Sequence, residues 1–135
     1  MGSDKKILIV DDAPDWRATL AGLIQDVHPE LEVITASSMD EAKDQLAQQD
    51  FALAIIDVRL DESDEKNTEG LDLMEFISTH YARTPSLVVT GYANLETVRR
   101  AMHPSASGTR PAVDYIEKDR IHNELLPRIA NILEK

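Results

Sequence analysis

Apolar positions along the chain keep two rhythms. Five short runs, at residues 7–10, 31–36, 52–56, 87–89 and 113–116, are apolar throughout or nearly so, and each reads as a strand of a buried parallel sheet. Between them apolar side chains recur every three or four residues, which lines one side of a helix. The first such set is Trp16, Leu20, Leu23, Ile24 and Val27, and the second is Met39, Ala42 and Leu46. Leu73, Met74, Ile77 and Tyr81 form the third, and Leu125, Leu126, Ile129, Ile132 and Leu133 close the chain. A further, shorter helix is predicted over 95–102 and ends before Pro104, because proline cannot continue a helix without losing a backbone hydrogen bond. Pro14 suits the first turn of the first helix, where an amide hydrogen has no helical partner to lose. Strand and helix therefore alternate, which predicts βα units wound around a parallel sheet.

Polarity within the runs orders the strands. Runs one, three and four are uninterrupted, as strands covered on both faces should be, whereas run two carries Glu32 and run five carries Asp114. The second and fifth strands are then the edges, and the order is 2-1-3-4-5. The predicted fold is α/β and flavodoxin-like, a (βα)5 unit with a parallel five-stranded sheet and helices on both faces. In such a fold the ligand crevice lies at the carboxyl ends of strands one and three, where the winding reverses.

Composition narrows the class. The 135 residues suit one domain with a sizeable core, and we expect residues 4–135 to form it. A formal net charge of −11 argues against a nucleic-acid-binding surface, which needs clustered Lys and Arg. With no cysteine, disulfides and thiolate metal sites are excluded. No apolar run is long enough for a membrane span, so no membrane partner is expected and a cytoplasmic location is.

The chemistry gathers at the predicted strand ends: Asp11 and Asp12 after the first, Asp57 after the third, Thr90 after the fourth and Lys118 after the fifth. Singly, each has a plainer reading. Asp11-Asp12 is compatible with a solvated helix cap, Asp57 and Thr90 with turn residues, and Lys118 with a surface lysine. Together they suit phosphoryl transfer onto an aspartate. Carboxylates offer hard oxygens to Mg²⁺, which also takes waters and phosphate oxygens, and a hydroxyl and an ammonium can hold the oxygens on which transition-state charge is spread.

The segments "ILIVDD", "LAIIDVRL", "LVVTGYA" and "DYIEK" carry a resemblance over nearly the whole chain to response-regulator receiver domains of two-component signalling. The resemblance implies that Asp57 accepts a phosphoryl group from a histidine kinase or phosphotransfer protein. It implies Mg²⁺ at Asp12 and Asp57, helped by the backbone carbonyl of Arg59, with Asp11 acting on the metal through water. Thr90 and Lys118 would contact the phosphoryl group, and Thr90 and Tyr115 would form the switch. Arg59 and Tyr92, two residues beyond the acceptor and the hydroxyl residue, would tune dephosphorylation. Such a domain is not an enzyme beyond its own phosphorylation and dephosphorylation, and it controls an output domain or partner protein.

The chain departs from the family in three places. Asp119 stands where a proline usually follows the lysine, the loop between Asp57 and Gly70 is longer than usual and rich in acidic residues, and a second excess falls in the turn-forming residues 103–112. Two other classes fit less well. A pseudo-receiver that ignores phosphate would lack one of the five site residues, and all five are present. An aspartyl phosphatase of the haloacid dehalogenase type would carry Asp-x-Asp on the first strand, where this chain has adjacent aspartates followed by Ala13.

Overall fold

The computed structural model describes residues 5–11, 13–57, 69–81, 83–90, 114–117 and 120–133, with the side chains at 69–71, 90, 114 and 115 left out of that description. The chain runs β1 (Lys6–Val10), α1 (Pro14–Val27), β2 (Glu32–Ala36), α2 (Met39–Gln48), β3 (Leu53–Asp57), α3 (Glu69–His80), β4 (Ser86–Thr90), β5 (Asp114–Glu117) and α4 (Ile121–Leu133). The predicted helix over 95–102 and the extended loops at 61–69 and 103–112 fall outside the described residues, apart from the first residue of α3. All five strands pair in parallel in the order β2-β1-β3-β4-β5, as the polarity of the runs predicts.

Alternation along the strands divides the core into two layers. Leu8, Val10, Ala54, Ile56 and Val88 face α2 and α3, meeting Ala42, Leu46, Leu73, Met74 and Ile77. Ile7, Ile9, Leu53, Ile55, Leu87, Val89 and Ile116 face the other way, against Leu20 and Ile24 of α1 and Ile121, Leu125 and Ile129 of α4. β3 is buried at every position while edge strand β2 is only partly covered, which is why β2 tolerates Glu32 and β3 carries no charge before its last residue. Each fully buried Ile or Leu contributes about 1.5 to 3 kcal/mol, so continuous apolar strands hold the sheet to the helices on both of its faces.

Local signals set the helix ends. Ser38 is the N-cap of α2 and its hydroxyl accepts the Glu41 amide at 3.2 Å, while the Ser37 hydroxyl donates to the Glu41 carboxylate at 2.8 Å. This is a Ser-x-x-Glu start that the sequence carries openly. By contrast α1 has Ala13 at its N-cap with no side-chain cap, and Pro14 opens its first turn. In α4, Pro127 stands inside the helix, and the buried stripe of Ile121, Leu125 and Ile129 holds the helix together across it.

Candidate functional site

The parallel register sets the geometry at the carboxyl edge of the sheet. Val10 of β1 pairs with Ile56 of β3, so Asp11 and Asp57, the next residues in each chain segment, stand side by side where the winding changes sides between β1 and β3. Both follow the parity of Ile9 and Ile55, the face covered by α1 and α4. Asp57 is the last residue of β3 and is also paired with Val89 of β4, so it lies one step further inside the sheet than a residue after the strand. The backbone of Thr90 ends β4 opposite Glu117, the last residue of β5, which immediately precedes Lys118 in sequence.

The two aspartates are buried, with Asp11 1% and Asp57 4% exposed. Carboxylates are rarely this buried without partners or a cation. At about 4.8 Å, the spacing of neighbouring strands, two ionised carboxylates repel by about 3.5 kcal/mol at an effective dielectric of 20. A divalent cation held by both would add attractions that outweigh that repulsion, and two buried carboxylates with hard oxygens are the donor set that Mg²⁺ takes alongside water. The residues present therefore fit the ion.

Asp11 is held firmly. Its amide donates to the Ala36 carbonyl at 3.1 Å, its Oδ1 accepts the Ala13 amide at 2.9 Å, and its carbonyl accepts from Arg17 Nη1 at 2.7 Å. The reading of the acidic pair as a solvated helix cap fails for Asp11, since Ala13 is the N-cap and Asp11 is buried. Arg17 was not among the residues singled out in the sequence. Only its position one turn into α1, just after an acidic pair, hints at a reach back to the strand end.

Of the predicted site residues, the structure brings Asp11 and Asp57 together and places the Thr90 backbone at the same edge. Asp12, Arg59, Tyr92 and Lys118 lie outside the described residues, as do the side chains of Thr90 and Tyr115. Among the described residues no helix is long and apolar enough to cross a membrane.

Comparison with known proteins agrees with this geometry. The family model for the response regulator receiver domain matches residues 7–130. The chain is 34% identical over 104 residues to the response regulator protein PilR of Pseudomonas aeruginosa, covering 77% of this chain and 22% of that protein. It is 32% identical over 112 residues to the nitrogen assimilation regulatory protein NtrX of Azorhizobium caulinodans, covering 83% of this chain and 22% of that protein. The chain thus spans about a fifth of the length of these curated relatives. Among solved structures, a CheY-like response regulator receiver domain protein from Methanospirillum hungatei superposes with a TM-score of 0.80 at 28% identity, over 96% of this chain and 94% of that one. With a family model that spans nearly the whole sheet and its helices, the chain belongs to the response regulator receiver domain family of two-component signalling.

Proposed function

We propose that residues 4–135 act as a phospho-accepting receiver domain in which Asp57 is the acceptor. The observation that carries this reading is the pair of buried carboxylates, Asp11 and Asp57, which directly follow the paired Val10 and Ile56 at the reversal of the sheet. An Asp57 carboxylate oxygen attacks the phosphorus of a phosphohistidine on a histidine kinase or phosphotransfer protein. A P–O bond forms, the P–N bond breaks, and its electron pair returns to the leaving imidazole. Bound Mg²⁺ would neutralise charge on the transferring phosphoryl oxygens and on the carboxylates around them. Asp11, Asp12, Asp57 and the Arg59 carbonyl would hold it. The Thr90 hydroxyl and the Lys118 ammonium take the remaining phosphoryl oxygens.

Once Asp57 carries the phosphoryl group, Thr90 moves toward it and the Tyr115 ring follows inward, which changes the surface offered to an output domain or partner protein. Arg59 and Tyr92 regulate how readily water reaches the acyl phosphate. The domain works in the cytoplasm, turns over no substrate beyond its own phosphorylation and dephosphorylation, and binds neither nucleic acid nor membrane itself.

Incubation with acetyl phosphate and Mg²⁺, followed by intact-protein mass spectrometry, tests the reading. A gain of one phosphoryl group is expected, and it is lost in Asp57→Asn and in the presence of EDTA. Labelling that survives either treatment refutes it.

A further inference from the structure

Arg17 reaches from the first turn of α1 to the carbonyl of Asp11 at 2.7 Å, which ties the helix to the end of β1 beside the buried carboxylates. The Asp11 carbonyl is one half of the peptide group that joins Asp11 to Asp12, and peptide groups are planar. Holding that oxygen therefore holds the peptide plane on the carboxyl side of Asp11. The other bonds to Asp11, from its amide to the Ala36 carbonyl and from the Ala13 amide to its Oδ1, tie it to β2 and to the start of α1. The Arg17 bond adds a tie to the peptide on the carboxyl side of Asp11. We propose that Arg17 is a positioning residue for divalent-cation binding, acting through the Asp11–Asp12 peptide; the inference rests on the reading of the strand ends as a Mg²⁺ site.

Two effects of opposite sign meet at this side chain. As a cation beside an acidic crevice, Arg17 repels a second cation, so its removal would tighten metal binding if charge decided the matter. As a donor that orients a ligand-bearing peptide, it preorganises the oxygens, so its removal would weaken binding. Groups that orient metal ligands from behind typically change affinity by about 10- to 100-fold when lost. The Arg17 side chain is part-buried, and its bond is short and charge-assisted, which favours the second effect. Lysine carries the charge but offers a compact ammonium in place of the planar fork, so it replaces the electrostatics better than the geometry.

The experiment uses the intact chain with Mn²⁺ as the probe, followed by loss of the free-ion signal in electron paramagnetic resonance, and Mg²⁺ as the competitor. Wild type, Arg17→Met, Arg17→Lys and Asp57→Asn are compared, with circular dichroism and urea denaturation run on each. The expected result is saturable Mn²⁺ uptake by the wild type, displaced by Mg²⁺ and lost in Asp57→Asn. Arg17→Met should bind about tenfold more weakly and Arg17→Lys should fall between, with folded spectra for both. Binding by Arg17→Met equal to or tighter than wild type overturns the role of Arg17 while leaving the metal site standing. Uptake that is absent in wild type, or unchanged in Asp57→Asn, overturns the site reading and the inference with it. If Arg17→Met does not fold, Arg17→Lys decides: wild-type affinity in that variant overturns the positioning role, because lysine keeps the charge and loses the planar fork.

Discussion

Pro127 makes α4 less stable than its buried face would allow, and replacing it with alanine should raise the stability of the whole domain. It is the seventh residue of a 13-residue helix, so neither end can absorb the disturbance. Having no amide hydrogen, it cannot bond to the Asn123 carbonyl, and its ring crowds that carbonyl; in a helix interior these effects together cost about 3 kcal/mol relative to alanine. Pro127 is exposed, so alanine loses little packing, whereas Ile121, Leu125 and Ile129 on the inner face stay as they are. Against the gain stands the unfolded chain, which proline restrains and alanine does not, an opposing effect of about 0.4 to 1 kcal/mol. The expected net stabilisation is about 2 kcal/mol. For a domain of this size that corresponds to a rise of roughly 6 to 8 °C in melting temperature. Urea denaturation followed by circular dichroism measures it, with Pro127→Gly as an internal check. Glycine restores the missing donor but costs about 1 kcal/mol as a poor helix former, so it should fall between wild type and alanine. If Pro127→Ala is no more stable than wild type, the helix has accommodated the proline without cost and the reasoning fails.

Three further outcomes are expected. The buried Thr84 hydroxyl donates to the Phe51 carbonyl at 2.9 Å, tying the segment before β4 to the segment before β3, so Thr84→Val should lose about 1 to 2 kcal/mol in the same denaturation assay. Ser86 is buried in β4 and its hydroxyl has no hydrogen-bond partner among the described residues, so Ser86→Ala should be neutral or about 1 kcal/mol more stable; a clear loss would reveal a partner for that hydroxyl. Arg59→Ala and Tyr92→Ala should each hasten decay of the phosphorylated protein, followed by mass spectrometry after removal of acetyl phosphate, and unchanged decay in both would exclude their shielding the acyl phosphate.

Much of this protein is legible in one dimension because its determinants are local. A short unbroken apolar run and a spacing of three or four are local properties of a buried strand and a helix, so the runs around Ile7–Ile9 and Leu53–Ile56 and the stripe of Leu125 and Ile129 announce their elements without reference to anything distant. Edge and centre were legible for a related reason: a charge such as Glu32 is tolerated only where one side of the strand meets water, and β2 is indeed an edge. The acidic residues at the ends of β1 and β3 could be picked out because a charge following an apolar run marks where a strand leaves the core.

Tertiary structure alone decided what those residues meet. That Asp11 and Asp57 stand side by side follows from the register of two strands separated by a whole βα unit, and a slip of one residue would have sent one of them to the other face. That both are buried depends on the helices closing over the sheet, which no single segment encodes. The start of α1 shows the same limit: the local signal favoured aspartate as a cap, but Asp11 turns its carboxylate to the Ala13 amide and leaves the N-cap to alanine. The Arg17 bond to the Asp11 carbonyl joins a helix to the strand before it through a long, flexible side chain, and which of many partners such a side chain takes is settled by packing around it rather than by its place in the sequence.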